Sequence, residues 1–330
     1  MFLLQKSVAI AALAVVTLFA QPGQADVRWD LTTAWPDSNF HTVNAKLFAD
    51  EVSKATDGEV VIEVKAGGQL GFKGPELLSA VRDGLVPMAD ILSVLQVGIE
   101  PVLGAEGIPF LAGSADELRV LHKHLRPLYD EVAMRNNQKI LYMVPWPTQY
   151  LHMKLKVSSL DELADIKVRG PDKSAVDMLN AVGMTGVLIP WAELIPALAS
   201  GAVDGVSTSG VSGVDGKFWE FLDYLYPTNH IWSSQIVTVN LDAWAELTPE
   251  QQAIVEGLGD QMQSAFWENS LVADQDSRKT LVDNGLEIVE MPEQMMVEFR
   301  ERTEPLFDAF IERAPEAEAP LRAYLNEVGR

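Results

Sequence analysis

Residues 193–210 read ELIPALASGAVDGVSTSG. Leu194, Ile195 and Leu198 recur at helical spacing, Gly201 stops them, and the segment ends in Ser207, Thr208 and Ser209. That order predicts a helix, a glycine turn and a short strand. The same junction occurs 117 residues earlier, where ELLSAVRDGLV (76–86) matches ELIPALASGAV (193–203) at five of eleven positions. Two copies of one junction predict two similar lobes. The small hydroxyls after the second copy are unusual packing material, and they leave room for something to sit against them.

The flanking chain alternates between strand and helix. Residues 27–35 alternate enough for a first strand. Asp37 or Ser38 is the expected cap of a helix with Phe40, Val43, Leu47, Phe48 and Val52 on one face, ending at Gly58. Strands are then predicted at 59–65, 88–94 and 139–144, with helices at 75–83 and 114–136. This order argues for parallel α/β sheets. Further on, Thr248 is an N-cap, Pro249 fits the first turn and Gln251 completes a capping box. The first convincing stop is Asn284–Gly285. A helix of about 35 residues would be roughly 50 Å long. That exceeds the width of one lobe, so it should run along both.

Residues 1–25 have the layout of a secretory signal peptide: Lys6, an apolar run from Val8 to Ala20, then Gly23 and Ala25, with cleavage expected after Ala25. The run is too short to span a bilayer; an uncleaved anchor is the alternative. No later stretch is apolar long enough to cross a membrane. The 330 residues contain no cysteine, so there is neither a disulfide nor a thiol to carry a lipid. Export without disulfides suits a bacterial periplasm and a chain large enough to rely on its core. The net charge of −22 repels nucleic acid and anionic lipid. It also repels small anions at long range, so an anion site here has to be built locally.

Enzyme signatures are missing from the sequence. Of the five histidines (His41, His122, His124, His152, His230), His122 and His124 lie two apart on a helix and share no face. They read as solvated helix residues, and no metal site or cofactor is expected. The hydroxyl run lacks the G-x-S-x-G spacing of a nucleophile elbow, and Gly216–Lys217 lacks the glycine of a phosphate loop.

Residues 166–179, IKVRGPDKSAVDML, say more. If 166–169 is a strand, Arg169 leaves its end on the face opposite Ile166 and Val168, and Asp172 starts a helix. Ligands of open α/β sheets gather at the C-terminal strand ends, and an arginine fork matches a carboxylate bidentately. The alternative is a surface arginine paired with a nearby acid. Trp146, Tyr150, Trp191 and Trp232 cluster at strand and helix junctions. Such aromatics serve either as core or as the walls of a pocket gripping the body of an organic anion.

The pieces IKVRGP, AVGMTGVLIPWAELIPALASGAVDG and IVTVNLDAWAELTPEQQ, with VIEVKAGGQLG (61–71) and EGIPFL (106–111), resemble the substrate-binding proteins of tripartite ATP-independent periplasmic (TRAP) transporters, the DctP family. The resemblance implies an α/β periplasmic binding protein fold: two lobes around a cleft, crossing strands, and a long helix spanning both. We place one lobe at 26–146 plus about 235–275 and the other at 147–234 plus about 276–330. It implies binding without catalysis: capture of an organic anion in the periplasm and delivery to membrane permease subunits, with a monomer expected and no nucleic acid. Arg169 matches the family's carboxylate clamp, and Trp191 stands where an aromatic packs on the ligand. Many members carry glutamate where this chain has Ser207, and in a metal-using branch that glutamate holds a bridging cation, which Ser207 cannot replace. Thr208 stands where others use asparagine. Gln149 and Thr208 are expected donors and Trp146, with Trp232, expected apolar contacts. A binding protein of another importer or sensor, and an enzyme on the same scaffold, are the competing classes. Buried, backbone-bonded strand residues are the competing reading of Ser207–Ser209.

Overall fold

The computed structural model describes residues 27–330, so the expected signal peptide lies outside the described residues. Two sheets form two lobes. The first uses β1 (Val27–Thr33), β2 (Val60–Lys65), β3 (Met88–Leu92), β4 (Gln138–Pro145) and β10 (Ser234–Asn240) in the order β2-β1-β3-β10-β4. The second uses β5 (Tyr150–Met153), β6 (Lys167–Gly170), β7 (Thr185–Leu188), β8 (Gly205–Thr208), β9 (Tyr224–Tyr226) and β11 (Glu287–Ile288) in the order β11-β9-β5-β8-β6-β7. The helices are α1 (Phe40–Ala55), α2 (Leu77–Arg82), α3 (Ala115–Arg135), α4 (Lys173–Ala181), α5 (Trp191–Ala199), α6 (Gly210–Asp215), α7 (Leu241–Trp244), α8 (Pro249–Asp283), α9 (Glu293–Thr303), α10 (Leu306–Arg313) and α11 (Glu318–Glu327).

The sheets are mixed, where the alternation predicts parallel ones. β1 runs parallel to β2 and β3, but β10 lies antiparallel between β3 and β4. Likewise β6 runs parallel to β7 and β8, with β5 antiparallel to β8 and β9. The odd strand in each sheet has just arrived from the other lobe. It enters where the parallel strands end, so it has to run against them.

The repeated junction holds in three dimensions. α2 and α5 are followed by Gly84 at φ 68° and Gly201 at φ 69°, a left-handed turn that glycine adopts without steric cost. Each then leads to the strand, β3 or β8, that sits between a parallel neighbour and the crossing strand.

α8 has the expected cap: Gln251 N donates to Thr248 Oγ1, and Thr248 N donates to Gln251 Oε1. It packs on α1 and β4 in the first lobe and on α6 in the second. Tyr150 donates to Asp274 of α8 at 2.8 Å. Among the described residues, no helix is long and apolar enough to cross a membrane.

Four details differ from the sequence reading. Asn39, rather than Asp37 or Ser38, caps α1 by accepting from His41 N at 3.0 Å. Val43 and Leu47 are exposed, while His41, Thr42 and Asn44 are buried. The face of α1 is chosen by its neighbours: His41 lies on Trp146, and Asn269 of α8 donates to Asn44. His122 is likewise buried, against Ser234 and Glu106, and only His124 pairs at the surface, with Glu327. Two positions apart on a helix, one faces the core and the other does not. Finally, Phe310, Leu321 and Tyr324 of α10 and α11 pack with Leu118, Leu121 and Leu125 of α3. The last residues therefore return to the first lobe, where the sequence reading assigned 276–330 to the second; α9 stays with the second through Met295 and Phe299.

The two glycines inside α8 should behave oppositely. A Cβ on Gly259 would lie 2.5 Å from Leu141 O of β4, whereas one on Gly257 meets nothing within 4 Å. Gly257→Ala should stabilise the protein by about 0.5–1 kcal/mol through helix propensity. Gly259→Ala should destabilise it by about 1–3 kcal/mol through overpacking. Urea unfolding of both variants checks this, and equal signs would contradict the close contact of helix and strand.

Candidate functional site

The segments that follow β1, β2 and β3 meet those that follow β6, β7 and β8 across a cleft holding a cavity of about 220 Å³. Strand ends of this kind collect ligands because loops and helix starts converge there. The crossing segments supply the floor, through Trp146, Gln149, Ile231 and Ser233.

Arg169 is the last but one residue of β6 and lines this cavity, although only 3% of it is exposed. Its Nε donates to Ile189 O at 2.8 Å, which fixes the plane of the fork. Among the described residues, Nη1 and Nη2 have no hydrogen-bond or ion-pair partner. Burial lowers its pKa to about 10, opposed by the nearby Asp172 carboxylate, so it is charged at neutral pH. Asp172 is committed elsewhere: its Oδ1 caps α4, accepting from Ser174 N at 2.7 Å and Ala175 N at 3.2 Å. Burial raises the Asp172 carboxyl to about 6, against those amide donors and Arg169.

The apolar walls are aromatic. Trp35, which follows β1, stands edge-on to Trp146 at 4.7 Å and to Trp191 at 5.9 Å. Trp146 is oriented from behind, its Nε1 donating to Gln235 Oε1 at 3.2 Å. Trp191 begins α5 on the opposite lobe, so the three indoles bridge the cleft.

Ser207 and Thr208 of β8 both line the cavity, as does Gln149. Thr208 Oγ1 has no hydrogen-bond partner among the described residues. Ser207 Oγ lies 2.9 Å from His230 Nε2. Ser209 belongs to the structural reading, since it caps α6 by accepting from Ser212 N. Trp232 is a correction: it is core, with Nε1 donating to Ala112 O at 3.0 Å, and it lines no part of the cavity. In an extended segment, side chains alternate. Ile231 and Ser233 face the cleft, so Trp232 faces away.

The sequence reading missed Trp35, Asp172 as a wall residue, Phe72 and Lys73. Trp35 follows the first strand just as Arg169 stands near the end of β6, and that equivalence was the available signal. Phe72 and Lys73 sit on the glycine-rich loop after β2 and carried none.

The profile of the bacterial extracellular solute-binding protein family 7 (DctP) matches residues 31–314. The chain belongs to this family. Its members are solute-binding proteins, not enzymes. A solved relative, the Bordetella pertussis extracytoplasmic solute receptor DctP7 described as binding pyroglutamic acid, is 27% identical with a TM-score of 0.87, over 90% of this chain and 99% of that one. A Nostoc protein named as a monocarboxylate 2-oxoacid-binding periplasmic protein is 27% identical over 254 residues, 72% of this chain and 66% of that protein. The uncharacterized Sinorhizobium fredii protein y4mM is 29% identical over 261 residues, and the match covers 77% of this chain but only 47% of that protein. The two-lobe α/β fold and the TRAP type of binding protein are those of the family.

Two polar contacts tie the lobes of this family member together beside the cavity. Lys73 pairs with Glu193 at 3.3 Å at the surface. Asn39 donates from Nδ2 to Asp215 Oδ2 at 2.7 Å while its Oδ1 caps α1. Burial raises the Asp215 carboxyl to about 6, with the Asn39 bond opposing. A carboxyl whose pKa is raised by folding favours the fold when protonated and loses that advantage as pH rises through the folded value. Asp215→Asn should therefore gain on the wild type by about 1–3 kcal/mol between pH 4 and 7.5. Urea titrations at the two pH values measure the difference, and a gap that shrinks with rising pH would refute it.

Proposed function

We propose that this protein captures a small organic monocarboxylate between its lobes, with Arg169 as the clamp, and delivers it to TRAP membrane permease subunits. The observation that carries the reading is a buried, charged arginine whose two terminal nitrogens have no partner among the described residues, in a cavity with apolar walls. A buried ion needs a counter-charge, and the −22 surface makes a local cation necessary for anion capture. One arginine neutralises one carboxylate. Trp35, Trp146 and Trp191 then grip the body of the ligand, while Thr208, Ser207 and Gln149 offer neutral hydrogen bonds. Relatives named for pyroglutamic acid and for 2-oxoacids support a compact monocarboxylate.

Binding needs no divalent cation in this reading, because Ser207 brings no charge and is engaged with His230. The protein works in the periplasm as a monomer and does not bind nucleic acid, in keeping with relatives named as periplasmic and with its acidic surface.

A thermal-shift screen followed by calorimetry tests the proposal with pyroglutamate, short 2-oxoacids and, as a polyhydroxylated control, glucuronate. The compact acids should bind and the control should bind far more weakly, unchanged after exhaustive chelation. Arg169→Ala should lose about 2–5 kcal/mol, which is roughly thirty-fold to several-thousand-fold in affinity, with the fold intact. Arg169→Lys should recover only part, because an ammonium cannot make the bidentate pair. Near wild-type affinity in Arg169→Ala would remove Arg169 from the site. Affinity that collapses on chelation and returns with calcium would refute the metal-free site.

A further inference from the structure

Behind Ser207 lies a buried chain of three side chains. Ser207 Oγ is 2.9 Å from Nε2 of His230, and Nδ1 of the same ring is 2.6 Å from Thr228 Oγ1. Ser207, Thr228 and His230 are 1%, 3% and 0% exposed. Burial holds the His230 ring neutral by pushing its pKa down to about 3. A neutral imidazole has one N–H and one lone pair, so the chain has a direction.

Thr228 decides which. Its hydroxyl has no other hydrogen-bond partner among the described residues. If Nδ1 carried the proton, Thr228 would accept it, and its own O–H would be buried with no acceptor, which is costly. If Nδ1 is bare, Thr228 donates to it, and the hydroxyl hydrogen left without an acceptor is that of Ser207, which unlike Thr228 lines the cavity and can meet a ligand there. The proton then sits on Nε2, which donates to Ser207 Oγ. The serine hydrogen is left over, and Ser207 lines the cavity with no other partner among the described residues.

We propose that His230 is a positioning residue that makes Ser207 an obligate hydrogen-bond donor into the cleft, so that the ligand has to place an acceptor oxygen there. This rests on the cleft being the ligand site. It narrows the ligand class to acids with a carboxylate for Arg169 and an oxygen acceptor, from the same carboxylate or a carbonyl, within reach of Ser207. A ligand presenting only an N–H or ammonium group at that point meets a donor and is rejected.

Two measurements test the polarity. The first is the ¹⁵N spectrum of the full-length protein labelled at histidine, with the His230 ring assigned by its disappearance in His230→Gln. At pH 7 Nδ1 should resonate as a bare nitrogen and Nε2 as a protonated one; the reverse pattern overturns the proposal without reference to any ligand. The second is calorimetry with pyroglutamate, a carboxylate that also carries a carbonyl. Ser207→Ala should lose about three- to tenfold in affinity, the share of one neutral hydrogen bond. His230→Gln, whose amide N–H can replace Nε2–H, should lose less than His230→Leu. Unchanged affinity in Ser207→Ala, or equal losses in the two His230 variants, would overturn it. If the wild type binds no carboxylate probe at all, the organic-acid reading falls, and the nitrogen spectrum alone decides the polarity.

Discussion

The chain crosses between the lobes as two extended segments, and these segments hydrogen-bond to each other. Trp146 N donates to Ser233 O at 2.8 Å, and Gln149 N donates to Ile231 O at 2.9 Å. Each segment then continues into the other lobe as the strand that its sheet lacks: β5 between β8 and β9, and β10 between β3 and β4. Neither sheet is complete without a strand delivered through the cleft, so the lobes cannot be separated without breaking both. The same constraint builds the site. Trp146, Gln149, Ile231 and Ser233 form the cavity floor, so a ligand resting there touches the hinge about which two such lobes move.

α8 runs along both lobes. It is in contact with α1, β4 and α6, and Tyr150 at the start of β5 reaches it through Asp274. Beside the cavity the lobes are tied by Lys73 to Glu193 and Asn39 to Asp215, and by an apolar cluster in which Trp35, Leu92 and Val94 meet Trp191 and Val211. These contacts border the cavity.

The electrostatics follow the same logic. Surface pairs such as Lys46–Asp37 and Lys279–Asp283 contribute little. Arg169 is the contrary case, taken out of water with Nε satisfied and the rest of the fork without a partner among the described residues. Asp172 is too committed to α4, and too burdened by its own burial, to act as a full counter-ion. Such a buried cation favours an anion beside it, which is the basis of the carboxylate reading proposed above.

By itself the sequence determined what depends on near neighbours along the chain. Thr248, Pro249 and Gln251 announce α8 because a cap is local chemistry. The twin helix–glycine–strand junctions reveal two lobes because Gly84 and Gly201 serve a local backbone need. Arg169 is legible because Gly170–Pro171 ends its strand beside it. Only the tertiary structure decided what depends on distant partners. It turned Val43 and Leu47 outward by setting α8 and Trp146 against the polar side of α1. It made the sheets mixed by sending β5 and β10 across the cleft, and it sent Trp232 into the core while Trp35 joined the site. It also put His230 behind Ser207. The physical reason is range: periodicity and capping act within a turn or two. Which way a side chain faces in a cleft is set by strand order and by the segment that fills the neighbouring slot.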